Sequence, residues 1–463
     1  MKQTPLPYLI LVLVVVISPL FFGAVYPWGY VGMALCAGTA LLLLLVREFL
    51  RPTDLDPRAK AILPAIVPYA LVLLWALVQC APGLAIGETR ELWLAAAETL
   101  AVDAHGSISI NPSLTLYAIV RWAAYGCIFL GLFWYARRPD YARRIVAAVA
   151  AASVVYAAYG LVVYFSGSET ILWYRRPHYQ GVLTGVFVNR NNFGAYAGIG
   201  LTCCIVLLHW RWRDGVARTG GNYGWAPALG QLLVLPNASL LIGCLVLATA
   251  LLLTQSRASV ATTMVGLFVF ALCVFSKRGV TRLAAAAIVL LAVVASGFVV
   301  QLSASATMTR IATALDDLAP RVQVYELSLA AVADRPIVGF GLGTFEDVFR
   351  LYRTPAFPDR FGKAHNSYLE LAVELGLPAT LLFMFTLAVL VHHCLRGVVV
   401  RRWDVAFPAL GLALTVQMGL HSLVDFPLQL PAVAATYAAL LATAVAQSRS
   451  RSEGLPAMEG RVA

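Results

Sequence analysis

Apolar runs of about twenty residues recur along the whole chain, separated by short polar stretches that hold most of the charge. Each run is long enough to cross roughly 30 Å of hydrocarbon as a helix. None alternates polar and apolar positions as a membrane strand does, so a β-barrel is excluded. The pattern predicts an all-α polytopic membrane protein with about 12 transmembrane helices, at 7–25, 28–46, 61–80, 114–136, 145–165, 189–209, 238–255, 258–275, 282–300, 366–395, 404–422 and 428–446. The first run follows Lys2, is long, and lacks a clear small-x-small cleavage site; it reads as a retained span rather than a signal peptide.

Twelve spans place both ends on one side. The short loops on that side carry Arg47, Arg51, Arg58 and Lys60, then Arg137, Arg138, Arg143 and Arg144, then Arg211, Arg213 and Arg218. Lys277, Arg278, Arg282, Arg396, Arg401, Arg402 and the tail arginines continue the series. The positive-inside rule makes this side cytoplasmic. Composition agrees: 60% of residues are hydrophobic, 12% are charged and the mean hydropathy is +0.79, beyond what a soluble core can hide. The net charge of +11 is accounted for by these loops and by anionic lipid, so no nucleic acid is implied. The eight cysteines fall mostly inside apolar runs, with no C-x-x-C pair or metal-ligand spacing, and read as packing residues.

Four segments on the opposite side exceed tight turns: 81–113, 166–188, 301–365 and the link from His421 to Pro427. The third, about 65 residues, is far longer than a connection requires, and loops of that kind are usually functional. It also breaks the charge rule, since it holds Arg310, Arg321, Arg335, Arg350, Arg353, Arg360 and Lys363. Within it, Pro320 to Ala333 has helical content ended by Arg335-Pro336, and Gly339-Phe-Gly-Leu-Gly343 reads as a flexible turn, having no strand before it to make a dinucleotide loop.

Where this loop meets the next apolar run, Lys363-Ala-His-Asn-Ser-Tyr-Leu-Glu370 has the Ser-x-x-Glu spacing of a capping box. A helix starting at Ser367 would leave His365 outside its positive end, where a neutral imidazole able to accept a proton is favoured. A surface histidine holding a hydrogen bond has the same signature. Arg321, directly after Pro320, would stand in the first turn of its helix against the dipole; an anionic ligand, or pairing with Asp316 or Asp317, would offset that. Arg257 lies in Leu253-Thr-Gln-Ser-Arg-Ala-Ser259, the only break between two spans, where an aromatic anchor is the commoner choice. Arg190 lies within Phe187-Val-Asn-Arg-Asn-Asn-Phe-Gly194, again at a helix start, with Asn189 beside it and Arg175, Arg176 and His178 just before. One asparagine suffices for a cap, so this surplus of polar groups, with Asn366, suggests a phosphate or pyrophosphate ligand at headgroup depth. Asp103 and His105 lie in the second outer loop, and His421 with Asp425 is an i, i+4 pair lacking a third metal ligand, which reads as a structural hydrogen bond.

These motifs, with Pro336-x-x-Gly-x-Gly341 and His421-Ser-Leu-Val-Asp425, resemble the O-antigen ligase and polysaccharide polymerase superfamily from Ile108 to Pro427. The resemblance implies a GT-C type inner-membrane glycosyltransferase of Gram-negative bacteria, multi-pass, with both termini cytoplasmic and a periplasmic active site. Residues 1–446 would form a single transmembrane catalytic domain containing the large periplasmic loop with its helices, 301–365, and 447–463 a disordered cytoplasmic tail. The donor would be a glycan on undecaprenyl pyrophosphate and the acceptor lipid A-core oligosaccharide. His365 would be the catalytic base, Arg257 and Arg321 the essential cations and Arg190 a fourth member, with no metal or cofactor required. A polymerase or a protein-glycosylating relative shares these motifs; the short chain after the last span favours the ligase. A lipid-linked glycan flippase is the reading of another class, although polar groups here gather at one face rather than at the midplane.

Overall fold

The computed structural model describes residues 4–50, 57–103, 105–176, 178–218, 235–275, 307–354, 361–401 and 404–449. The helices are α1 (Leu6–Ile17), α2 (Pro27–Leu50), α3 (Pro57–Ala61), α4 (Leu63–Gln79), α5 (Glu88–Leu100), α6 (Pro112–Ala136), α7 (Pro139–Phe165) and α8 (Arg190–Arg218). They continue as α9 (Leu235–Leu253), α10 (Arg257–Phe275), α11 (Thr307–Asp334), α12 (Phe345–Tyr352), α13 (Ser367–Leu375), α14 (Leu377–Val400), α15 (Ala406–His421) and α16 (Pro431–Ala446). A short antiparallel ribbon, β1 (Thr170–Ile171) with β2 (Tyr174–Arg175), pairs Thr170 with Arg175 and Ile171 with Tyr174.

Six helices, α2, α6, α7, α8, α10 and α14, are long and apolar enough to cross a membrane, and five shorter apolar helices at α1, α4, α9, α15 and α16 accompany them. These overlap eleven of the twelve predicted spans. The other, 282–300, lies outside the described residues, as do Lys277, Arg278, Arg282 and Arg402. The chain is an all-α membrane protein.

Close approach of helices sets the core. Every residue of α16 is buried, and its alanine-rich surface lets α6 and α15 pack directly on it. Between α8, α10 and α15, a side chain at Gly198 would collide with Thr263 and Gln417, which instead bond to each other, Gln417 Nε2 donating to Thr263 Oγ1 at 3.1 Å. Small residues at such crossings let dispersion contacts accumulate where lipid supplies no hydrophobic drive between helices.

The predicted span 366–395 is two helices. Gly376, at φ 77°, breaks it between α13 and α14, and Pro378 follows in the first turn of α14. The break frees backbone carbonyls, and the glycine segment answers them. Phe340 N–H donates to the Val373 carbonyl and Gly341 N–H to that of Glu374, while Gln79 Nε2 bonds Glu374 O and Trp75 Nε1 bonds Leu375 O. Gly339 to Gly343 is therefore a buried brace rather than a flexible turn. Non-helical backbone near a membrane is stable where protein groups satisfy it in this way. The loop helix also exceeds its predicted extent: α11 begins at Thr307, so Arg321 lies in its interior and not in its first turn. The dipole argument for that arginine does not hold.

The four predicted outer segments meet at one end. Arg335 Nη2 donates to Ile86 O at 3.0 Å and Asn111 Nδ2 to Asp347 Oδ2 at 2.9 Å, tying 81–113 to the large loop. Of the other two, 421–427 meets His365 through Asp425 and Phe426, and 166–188 meets the start of α8, Tyr179 Oη accepting from Asn189.

Candidate active site

Asn366, not Ser367, caps α13: its side-chain oxygen accepts from the backbone N–H groups of Tyr368 and Leu369, both at 3.1 Å. The helix starts at Ser367 as predicted, with its cap one residue earlier than the capping-box spacing implies. Ser367 is the first helical residue, with N–H donating to Ser422 O at 2.8 Å and hydroxyl to Asp425 O at 3.2 Å. Glu370 does not close a capping box; it accepts from Lys363 Nζ at 2.9 Å and Ala364 N–H at 3.0 Å. These contacts grip the chain on both sides of His365, which holds a left-handed φ of 53°. A β-carbon makes that conformation costly, and strain of this kind persists where surrounding contacts over-determine it.

The imidazole of His365 stands edge-on to Phe361 and Phe426, partly open to solvent. Its Nδ1 lies 3.2 Å from Asp425 Oδ1, and among the described residues Nε2 has no hydrogen-bonding partner. Asp425 is buried. Burial alone would raise its carboxyl, but the hydrogen bond and charge of His365, the charge of His421 and the hydrogen bond from Asn191 outweigh it and hold the group below the ordinary value. An ionised Asp425 accepts a hydrogen bond from Nδ1–H of a neutral imidazole, the tautomer that leaves the Nε2 lone pair free.

Asn191 extends the chain of contacts. Its Nδ2 donates to Asp425 Oδ2 at 2.6 Å, and its carbonyl accepts from Ser259 Oγ at 3.0 Å. Asn191 stands in the first turn of α8 and Ser259 in the first turn of α10, so the N-termini of α8, α10 and α13 converge. Each carries about half a positive charge from its unpaired amides, a setting that favours an anion.

The arginines are placed accordingly. Arg190 opens α8, its guanidinium 5.9 Å from the Tyr179 ring, and its buried Nε has no protein partner among the described residues. Arg257 opens α10, exposed, two residues before Ser259. Arg321 acts electrostatically on two tyrosines. Burial and the Asp425 charge push the Tyr179 phenol up, against Arg190 and Arg321. Burial likewise raises Tyr325, against Arg321, with Asp425 adding to the rise. Tyr325, one turn beyond Arg321 on α11, donates to the His365 carbonyl at 3.2 Å, fastening the loop helix to the histidine segment.

Asn189 braces this edge: its Oδ1 accepts from Asn191 N–H at 2.7 Å and its Nδ2 donates to Tyr179 Oη at 3.2 Å. Arg176 does not join the cluster. It is buried, paired with Glu169, and its Nη1 donates to the carbonyls of Tyr179 and Val182 and to Thr184 Oγ1, so it holds the turn that presents Tyr179. Arg175, on β2, is exposed. Asp103 and His105 are exposed in their loop, and the side chains of Asp316 and Asp317 lie outside the described residues.

Sequence reasoning gave Asp425 a structural hydrogen bond, read Asn191 as one of the surplus asparagines and Tyr179 as an aromatic that could stack on sugar, and passed over Tyr325. The i, i+4 spacing of His421 and Asp425 read as a structural hydrogen bond between the two, whereas Asp425 bonds His365, just before the cap of α13. Left-handed backbone at Tyr179, Gln255 and His365, with φ of 61°, 53° and 53°, marks three of the converging segments and is invisible in residue identity.

Residues 242–384 match the family model described as O-antigen ligase, which supports the resemblance to that superfamily. The match takes in Arg257, Arg321 and His365 and leaves Arg190 and Asp425 outside it. No curated protein matches the chain.

Proposed function

We propose that the protein transfers a glycan from undecaprenyl pyrophosphate to lipid A-core oligosaccharide, with inversion, at the periplasmic face of the inner membrane. The single observation that carries this reading is a histidine with one nitrogen tied to Asp425 and the other open, set among three helix N-termini and the charges of Arg190 and Arg321. His365 Nε2 takes the proton of an acceptor hydroxyl as its oxygen bonds to the anomeric carbon. The bond from that carbon to the pyrophosphate breaks, and the electron pair leaves with the pyrophosphate. Arg190, Arg257 and Arg321, with the helix ends, stabilise the charge that develops there. Asp425 sets the tautomer and offsets the imidazolium charge. Arg175, exposed beside the turn, meets more distant parts of the anionic donor. The large loop, fastened by Tyr325, covers the site.

A polymerase would use the same groups on a lipid-linked acceptor. Purified protein supplied with lipid-linked glycan, with and without lipid A-core, separates the two: product only when lipid A-core is present supports ligation, and lengthened lipid-linked glycan without it indicates polymerisation. Glycan movement across sealed vesicles with no new bond would remove the transferase reading.

A further inference from the structure

Beside the histidine segment lies a partly open cavity of about 260 Å³ lined by α4, α6, α13, α14, α15 and α16. Lys363 and Ser367 line it and His365, between them, does not. Its walls are apolar and aromatic, with Tyr69, Trp122, Phe383 and Tyr437 among them, and it reaches Leu390 in the middle of α14. The polar groups stand at the outer end, where Lys363 is neutralised by Glu370 at 2.9 Å.

Arg121 also lines the cavity and is the anomaly. It lies nine residues into the membrane-spanning helix α6, about 13 Å along its axis. It packs on the Tyr30 ring at 5.3 Å and against Gly343, and among the described residues it forms no ion pair. An arginine inside a span is costly without an anion, and such residues mark ligand or ion sites. Of the two cations lining this cavity, Lys363 is paired with Glu370, and Arg121, without a carboxylate partner among the described residues, opens into a slot walled by hydrocarbon and rings. That combination fits an anionic head joined to an apolar chain. The volume, at the small end of ligand pockets, suits one chain rather than several.

We propose that this cavity is a second lipid site, distinct from the His365 cluster, which takes one hydrocarbon chain of a phosphate-bearing lipid and meets its phosphate with Arg121. The choice of a phosphate-bearing lipid rests on the transferase reading, in which donor and acceptor are both lipids of that chemistry; the site itself rests on the cavity and Arg121.

The test is photolabelling of the purified full-length protein in mixed micelles with a long-chain alkyl phosphate carrying a diazirine near the chain end, followed by peptide mapping. Label is expected on the cavity-facing stretches of α6, α14 and α16. Unlabelled alkyl phosphate should compete, whereas the uncharged alkyl alcohol and inorganic phosphate should not. Arg121→Gln should weaken apparent binding about tenfold or more, the loss of a charge-assisted bond, while His365→Ala labels as wild type. Labelling spread over lipid-facing helices such as α2, equal competition by the alcohol, or undiminished binding by Arg121→Gln would overturn the site. The competition arms use wild-type protein and decide the matter even if Arg121→Gln does not fold. Labelling that succeeds while His365→Ala retains transfer rejects the catalytic reading alone; the reverse pattern rejects only this cavity.

Discussion

His365 Nδ1 lies 3.2 Å from the Asp425 carboxylate, a contact between residues sixty positions apart that joins the end of the large loop to the link between α15 and α16. It fixes which imidazole nitrogen stays free, and with it what each substitution should do.

His365→Ala is expected to lower glycan transfer by about 10²- to 10⁴-fold, the usual range for a positioned base, with folded protein still in the membrane. Asp425→Asn keeps the shape but favours the other tautomer, and a loss in turnover of comparable order is expected. Turnover by purified Asp425→Asn at the wild-type rate would show that Asp425 does not orient the base.

Replacing Arg257 or Arg321 with Lys should impair turnover although the charge is retained, because a point charge cannot reproduce a bidentate fork on pyrophosphate. Chelator should leave the wild-type rate unchanged, since arginines and helix ends carry the leaving-group charge. Full activity of the double Lys variant, or loss of activity on chelation, counts against this clamp.

Burial, then the neighbouring Glu370, raise the Glu374 carboxyl to about 7, against Lys363 and the backbone N–H groups of Gly343 and Phe345. In the unfolded chain the group returns to 4.5, so the folded state holds its proton more tightly. Its contribution to stability is fully present below the unfolded value and is lost as pH rises through the folded one. Thermal midpoints of the wild type in detergent should therefore fall across that window, and Glu374→Gln, neutral throughout, should flatten the decline. Parallel pH profiles for the two proteins would contradict the assignment.

Gly376→Ala should destabilise by about 1–3 kcal/mol, because the added methyl meets the Ile337 carbonyl while the backbone sits at φ 77°. Equilibrium denaturation in detergent measures this. An unchanged midpoint would mean that the break between α13 and α14 relaxes without strain.

Much of the fold was legible because hydrocarbon demands long apolar runs, and these stand plainly in the chain. The break at Gly376 was passed over although Gly376 and Pro378 are breaker residues; the freed carbonyls there are met by donors distant in the chain, Phe340 and Gly341 N–H with the Gln79 and Trp75 side chains. The site was half legible. Arg190, Arg257 and His365 drew attention as polar residues at span ends, and Arg321 as a cation in the outer loop. Arg176 drew the same attention and proved to be engaged by Glu169 and backbone carbonyls, a difference that charge alone does not reveal.

By itself the sequence determined an all-α membrane protein, the residues that mark span ends, and a polar loop of unusual length whose last residues carry a histidine. Each follows from local chemistry: apolar length, charge and turn residues. Only the tertiary structure decided that Asn366 caps α13 instead of Ser367, that Arg321 lies inside its helix, and that Asp425 turns to His365 rather than pairing with His421. Those outcomes depend on which helix ends meet, and that is set by close packing at positions such as Gly198 and by a break at Gly376, contacts whose partners lie far away in the chain.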